Sequence, residues 1–149
     1  LRKLVFDAGP FILLFTNERG SDVAREAVLR HERGEIEVFI HPNNLAEAYR
    51  ILCEVKEMKP ELLVRDVDPG VLVRSAYATL NVVYDEETTV NLGVLKLKYG
   101  DKPWGDLSSA ALALRLSNEE QVPVVILDEE RHFKDIKEVA SIKISRLTV

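Results

Sequence analysis

The sequence predicts an α/β domain with a mainly parallel sheet and helices on both faces. Short apolar runs of strand type, "KLVF", "IEVFI" and "VPVVIL", alternate with longer stretches of helical periodicity. Gly- and Pro-marked turns separate the two kinds of segment. At 149 residues the chain can bury a substantial core, and no linker or internal repeat divides it. The expectation is a single domain over residues 1–149.

In chain order, "KLVF" reads as a buried strand and "GPFILLFT" as a helical turn, with Pro10 at an early helical position. "SDVAREAVLRHERG" reads as an amphipathic helix opened by Ser21 or Asp22 and closed by Gly34. "IEVFI" is the second strand. "NNLAEAYRILCEVKEM" follows as a helix with Ala46, Tyr49, Leu52 and Cys53 at helical spacing, ended by Pro60. Two helical segments are expected either side of Asp68-Pro69-Gly70, a turn signal. "NVVY" is a third short strand, and "EETTVNLGVLKLKYG" a helix stopped by Gly100. "WGDLSSAALALRL" is an apolar helix with Asp106 near its start. "VPVVIL" is the fourth strand, and "SIKISRLTV" supplies a possible fifth.

Composition narrows the function classes. The chain is 46% hydrophobic and 30% charged, ordinary for a globular protein. Its longest apolar runs are far too short to span a bilayer, so no membrane association is expected. "LRKLVFDAGP" enters strand-type residues at once, without the pattern of a signal peptide. The lone cysteine, Cys53, cannot form an intrachain disulfide, and cytoplasmic residence is the expectation. A net charge of −5 argues against nonspecific nucleic-acid binding through a broadly basic surface. It leaves room for an enzyme whose acids surround a cation.

Five acids fall where parallel sheets bind ligands, beyond the carboxyl ends of the strands. Asp7 follows "KLVF", Glu47 lies early in the helix after "IEVFI", Asp106 opens a late helix, and Asp128 and Glu130 follow "VPVVIL". Each has a local explanation. Asp7 can cap the turn containing Pro10. Glu47, three residues after Asn44, has the spacing of a capping box. Asp106 suits a helix dipole, and Asp128 and Glu130 suit a solvated turn. With 25 acids in the chain, single matches prove little. Their conjunction on one sheet edge is different, because capping does not require it. Carboxylates gathered together raise one another's pKa, and a divalent cation removes that cost. All-oxygen ligation favours Mg²⁺ or Mn²⁺ over zinc, and such a centre suits phosphodiester hydrolysis. Trp104, just before Asp106, either stacks on a base or packs in the core or a dimer contact. Arg50, one turn after Glu47, either contacts phosphate or pairs with Glu47 or another acid. His31, His41 and His132 share no metal-ligand spacing and read as surface residues.

"LVFDAGPFILLF", "NLAEAYRIL", "YGDKPWGDLSSAALALRL" and "VPVVILDEERHF", in that order, resemble the PIN-domain ribonucleases, most closely the VapC toxins of toxin–antitoxin pairs. The resemblance implies a PIN-like three-layer α/β/α sandwich with a central sheet of four to five strands. It implies Mg²⁺- or Mn²⁺-dependent cleavage of RNA leaving a 5′-phosphate. A homodimer and an inhibitory antitoxin, whose peptide directs an Arg at the acids, are further implications. Metal binding and catalysis would fall to Asp7, Glu47 and Asp106. The fourth acid is Asp128 by strand length, or Glu130 by its distance from Phe133. There are two departures from the family pattern: Gly9 stands where a small hydroxyl residue is common, and under the second count Asp128 replaces a Ser or Thr. The alternatives are an RNA-processing PIN nuclease that is not a toxin, and a catalytically inactive PIN-like binding module. Phosphoryl-transfer domains of the haloacid-dehalogenase kind need a second Asp where Gly9 stands. Response regulators need an acidic pair and a late Lys that are not evident.

Overall fold

A computed structural model describes residues 2–128 and 132–143 of the chain. In order, the elements are β1 (Arg2–Phe6), α1 (Ala8–Leu13), α2 (Ser21–Glu32), β2 (Ile36–Ile40), α3 (Pro42–Met58), α4 (Pro69–Thr79), β3 (Asn81–Val82), α5 (Glu86–Lys98), α6 (Trp104–Glu120), β4 (Val125–Asp128) and β5 (Ala140–Lys143). The five strands form one sheet in the order β3-β2-β1-β4-β5, and every pairing is parallel. The expected α/β class is therefore observed, with the fifth strand present.

Strand alternation builds the two apolar layers. Leu4, Phe6, Val38, Ile40 and Leu127 face one side and pack with residues of α1 to α4. Val5, Phe39 and Ile126 face the other and pack against α5 and α6. Because successive side chains on a strand point to opposite faces, each short strand serves both layers. On α6, Leu107, Ala110, Ala111, Leu112 and Ala113 are fully buried, so this helix lies close against the sheet.

Three local expectations need correction. The helix before Asp68 is only a single 3-10 turn, Pro60–Leu62; too few residues separate Pro60 from Pro69 for a stable helix. The cap of α2 is Gly20 at φ 97°, a left-handed conformation that glycine adopts without strain, rather than Ser21 or Asp22. The buried face of α3 is Asn44, Leu45, Ala48 and Leu52, whereas Ala46 and Tyr49 are exposed and Cys53 is half-buried. The helix begins at Pro42 with His41 as its cap, and this sets the rotation. Among the described residues, no helix is long and apolar enough to cross a membrane.

Candidate metal centre

The strand order fixes where the site lies. From β1 the chain builds outward through β2 and β3, then crosses back to add β4 and β5 on the other side of β1. The reversal falls between β1 and β4, and ligands bind at such a switch point beyond the strand ends. Asp7 and Asp128 stand there side by side. The Asp7 N–H donates to the Leu127 carbonyl at 3.2 Å, extending the β1–β4 pairing. Both acids are buried, at 5% and 1% exposure.

Asp7 occupies the N-cap position of α1, but its side chain makes no cap hydrogen bond. Its Oδ1 instead accepts from Asn44 Nδ2 and from Ser109 Oγ, each at 2.9 Å. Asn44, fully buried on α3, also donates to the Gly105 carbonyl at 3.0 Å. Its Oδ1 lies 3.1 Å from Ser109 Oγ, whose single proton is shared between Asn44 and Asp7. This polar knot ties β1, α3 and α6 together and fixes one oxygen of Asp7. Buried polar groups are retained when they are paired in this way.

α3 and α6 bring the next two acids. The Glu47 carboxylate is half-buried and lies over Gly105: a Cβ on that glycine would meet Glu47 Oε2 at 2.6 Å. Glycine is thus the residue that lets the carboxylate approach α6. Asp106 follows it and points the same way, with Oδ1 4.0 Å from His132 Nδ1. The same nitrogen is 3.7 Å from Asp7 Oδ2 and 3.3 Å from Asp128 Oδ1. Three carboxylates from three elements therefore surround one imidazole.

The electrostatics follow from this crowding. Burial, then the Asp7 charge, pushes Asp106 up to about 6; Glu47 and Asp128 add to the rise and His132 opposes it. Burial and the Asp7 charge also raise Glu47, against Arg50 and His132. The contact with Asp7, with the charges of Asp128 and Asp106, raises His132 to about 10 in spite of its partial burial. In the cation-free protein an imidazolium thus balances the acids.

Of the remaining expected residues, Glu130 lies outside the described residues. Arg50 is exposed and donates to Glu54 Oε1 at 2.8 Å, one turn further on, rather than to Glu47. Trp104 is 55% exposed, so core packing is ruled out for it; the Lys96 ammonium sits 5.0 Å from its ring centroid. The histidines are not idle surface groups. His41 is buried and caps α3, its Nδ1 accepting from Asn43 N, and His31 Nδ1 accepts from Val38 N. His132 enters the acidic centre. The capping box suggested for Asn44 and Glu47 is absent, because His41 already caps that helix.

A donor set of this kind can hold a divalent cation. Asp7, Asp128 and His132 each present one ligand atom, all within 4.8 Å of one another. Two carboxylate oxygens and an imidazole nitrogen suit first-row dications. An imidazole nitrogen thus stands beside the expected carboxylate oxygens.

No protein-family model and no curated sequence matches the chain. Solved structures do. VapBC2 from Rickettsia felis, bound to a promoter DNA fragment, aligns with a TM-score of 0.65 at 12% identity, covering 95% of this chain and 98% of that one. The fold is PIN-like. VapBC-1 from nontypeable Haemophilus influenzae aligns with a TM-score of 0.59 at 13% identity, covering 97% and 99% of the two chains. A toxin–antitoxin complex from Klebsiella pneumoniae gives 0.55 at 15% identity, covering 95% and 97%. At such identities the likeness establishes the PIN-like fold and leaves the chemistry to be argued from this chain's own residues.

Proposed function

We propose that this chain is a Mg²⁺- or Mn²⁺-dependent endoribonuclease of the PIN type, acting as the toxin of a toxin–antitoxin pair. One observation carries the reading: Asp7 just after β1, Asp106 on α6 and Asp128 on β4 all lie within 4.0 Å of one nitrogen at the switch point of the sheet. Concentrating buried carboxylates is costly in a protein with no cation to bind. Asp7, Glu47, Asp106 and Asp128 are the residues that would hold it, and Glu130, two residues after Asp128 in the sequence, is a further candidate. The cation would supply positive charge opposite the scissile phosphate and the attacking water.

The protein's own groups provide position. Asn44 and Ser109 hold Asp7 by one oxygen and leave the other directed at the centre. Ser109 also supplies, from α6, a hydroxyl on the first acid that Gly9 does not. Hydrolysis leaving a 5′-phosphate adds water oxygen to phosphorus and expels the 3′ oxygen, which takes up a proton. Exposed Trp104, two residues before Asp106 on α6, would with Lys96 above its ring offer stacking and positive charge to a single strand. Arg50, exposed near Glu47, would serve as a phosphate contact. The antitoxin partner is supported by the likeness to the Klebsiella complex; homodimerisation and cytoplasmic residence complete the proposal.

The test is an RNA-cleavage assay with Mg²⁺ or Mn²⁺, comparing the native protein with Asp106→Asn. Metal-dependent cleavage by the native protein and none by the variant is expected. Equal cleavage by both would remove Asp106 from the mechanism.

A further inference from the structure

Four features single out His132 within the centre. Its Nδ1 lies 3.3, 3.7 and 4.0 Å from oxygens of Asp128, Asp7 and Asp106. Neighbouring ligands of an octahedral ion with bonds near 2.1 Å are roughly 3 Å apart. The imidazole stands close to that spacing from Asp128, and Asp7, Asp128 and His132 each present one ligand atom within 4.8 Å of the others, with Asp106 just beyond. The ring's placement is built in: Asp128 Oδ2 accepts the His132 backbone N–H at 3.0 Å. On the other side Phe133 is buried, at 1% exposure, and anchors the chain just after the ring. One carboxylate thus holds the His132 backbone with one oxygen and faces its imidazole with the other.

We propose that His132 is itself a metal ligand, and that its nitrogen makes the centre select Mn²⁺ over Mg²⁺. The inference rests on the metal-centre reading above and goes beyond it. Mg²⁺ is hard and retains oxygen ligands, whereas Mn²⁺ accepts imidazole more readily. The opposite role is equally definite: a ring that only pairs with the acids competes with the cation for them, and its removal tightens binding of every dication.

The two roles separate in calorimetric titrations of Mn²⁺ and Mg²⁺ into the native protein, His132→Ala, His132→Gln and Asp7→Asn, with pulsed EPR of the Mn²⁺ complexes. Ligation predicts a ¹⁴N coupling in the native Mn²⁺ spectrum that both His132 variants lose. It also predicts a roughly 10–100-fold fall in Mn²⁺ affinity, the range typical of losing a residue from a metal's surroundings, with Mg²⁺ affinity little changed. Absence of the ¹⁴N coupling in the native complex overturns the proposal. So does unchanged or tighter binding of both ions by the His132 variants. If the native protein binds neither ion, or Asp7→Asn binds both as well as the native protein does, the metal-centre reading fails with it.

Discussion

Asp85 and Asp106 stand at the starts of successive helices, and the fold uses them in opposite ways. Asp85 is the N-cap of α5: its Oδ1 accepts the Thr88 N–H at 2.9 Å, and its Oδ2 takes Arg115 Nε at 2.8 Å. Burial alone would raise its pKa, but those hydrogen bonds and the guanidinium outweigh it and the net shift is downward. Asp106 is the third residue of α6, after a cap, Pro103, that has no side-chain cap bond. Burial and three neighbouring acids carry it up to about 6. A carboxylate paired at a helix start is lowered; one buried among other acids is raised. The difference lies in what surrounds each acid, not in its place along the chain.

The comparison breaks most sharply under mutation. Asp106→Asn is expected to abolish RNA cleavage while leaving the thermal stability of the cation-free protein unchanged or raised, since it removes a crowded negative charge. Asp85→Ala should do the reverse, losing about 1–2 kcal/mol in chemical denaturation with cleavage retained. Loss of cleavage in Asp85→Ala at full stability would erase the distinction. Asn44→Ala comes next, with an expected cost of about 1–3 kcal/mol from buried groups left unpaired and weakened Mn²⁺ binding as Asp7 loses its clamp.

A pH titration sharpens the same contrast. Between its ordinary 3.8 and about 6, Asp106 keeps a proton in the folded protein that the unfolded chain has released. The folded state binds more protons there, so its contribution to cation-free stability falls as pH rises through that window. Melting curves of native protein and Asp106→Asn should differ in slope across it, and converging slopes would contradict the assignment. Mn²⁺ affinity should rise over the same interval as the carboxyl becomes free to ligate. The smallest effect is expected for Gly105→Ala. Its methyl displaces only the end of a flexible Glu47 side chain, so melting should barely move while Mn²⁺ affinity drops.

Much of this was readable from residue order, because strand and helix periods depend on local patterns. Asp7 and Asp106 were legible for the same reason: each sits at a strand or helix end that its own neighbours define. His132 was not, since its partners come from β1 and α6, and its four-residue spacing from Asp128 in a turn matches no metal motif. Asn44 and Ser109 read as ordinary small polar residues; only their burial, at 0% exposure each, reveals the clamp on Asp7. A usable clue was there in polar residues interrupting the apolar faces of two helices. The choice between capping and chemistry at Glu47 turned on His41, whose cap of α3 depends on the helix starting at Pro42.

Melting temperature with and without Mn²⁺, for the native protein and Asp7→Asn, probes the shared dication most directly. A rise in the native protein that Asp7→Asn lacks is the expected result. An equal rise in both, or none in either, would mean that these carboxylates meet for some other reason.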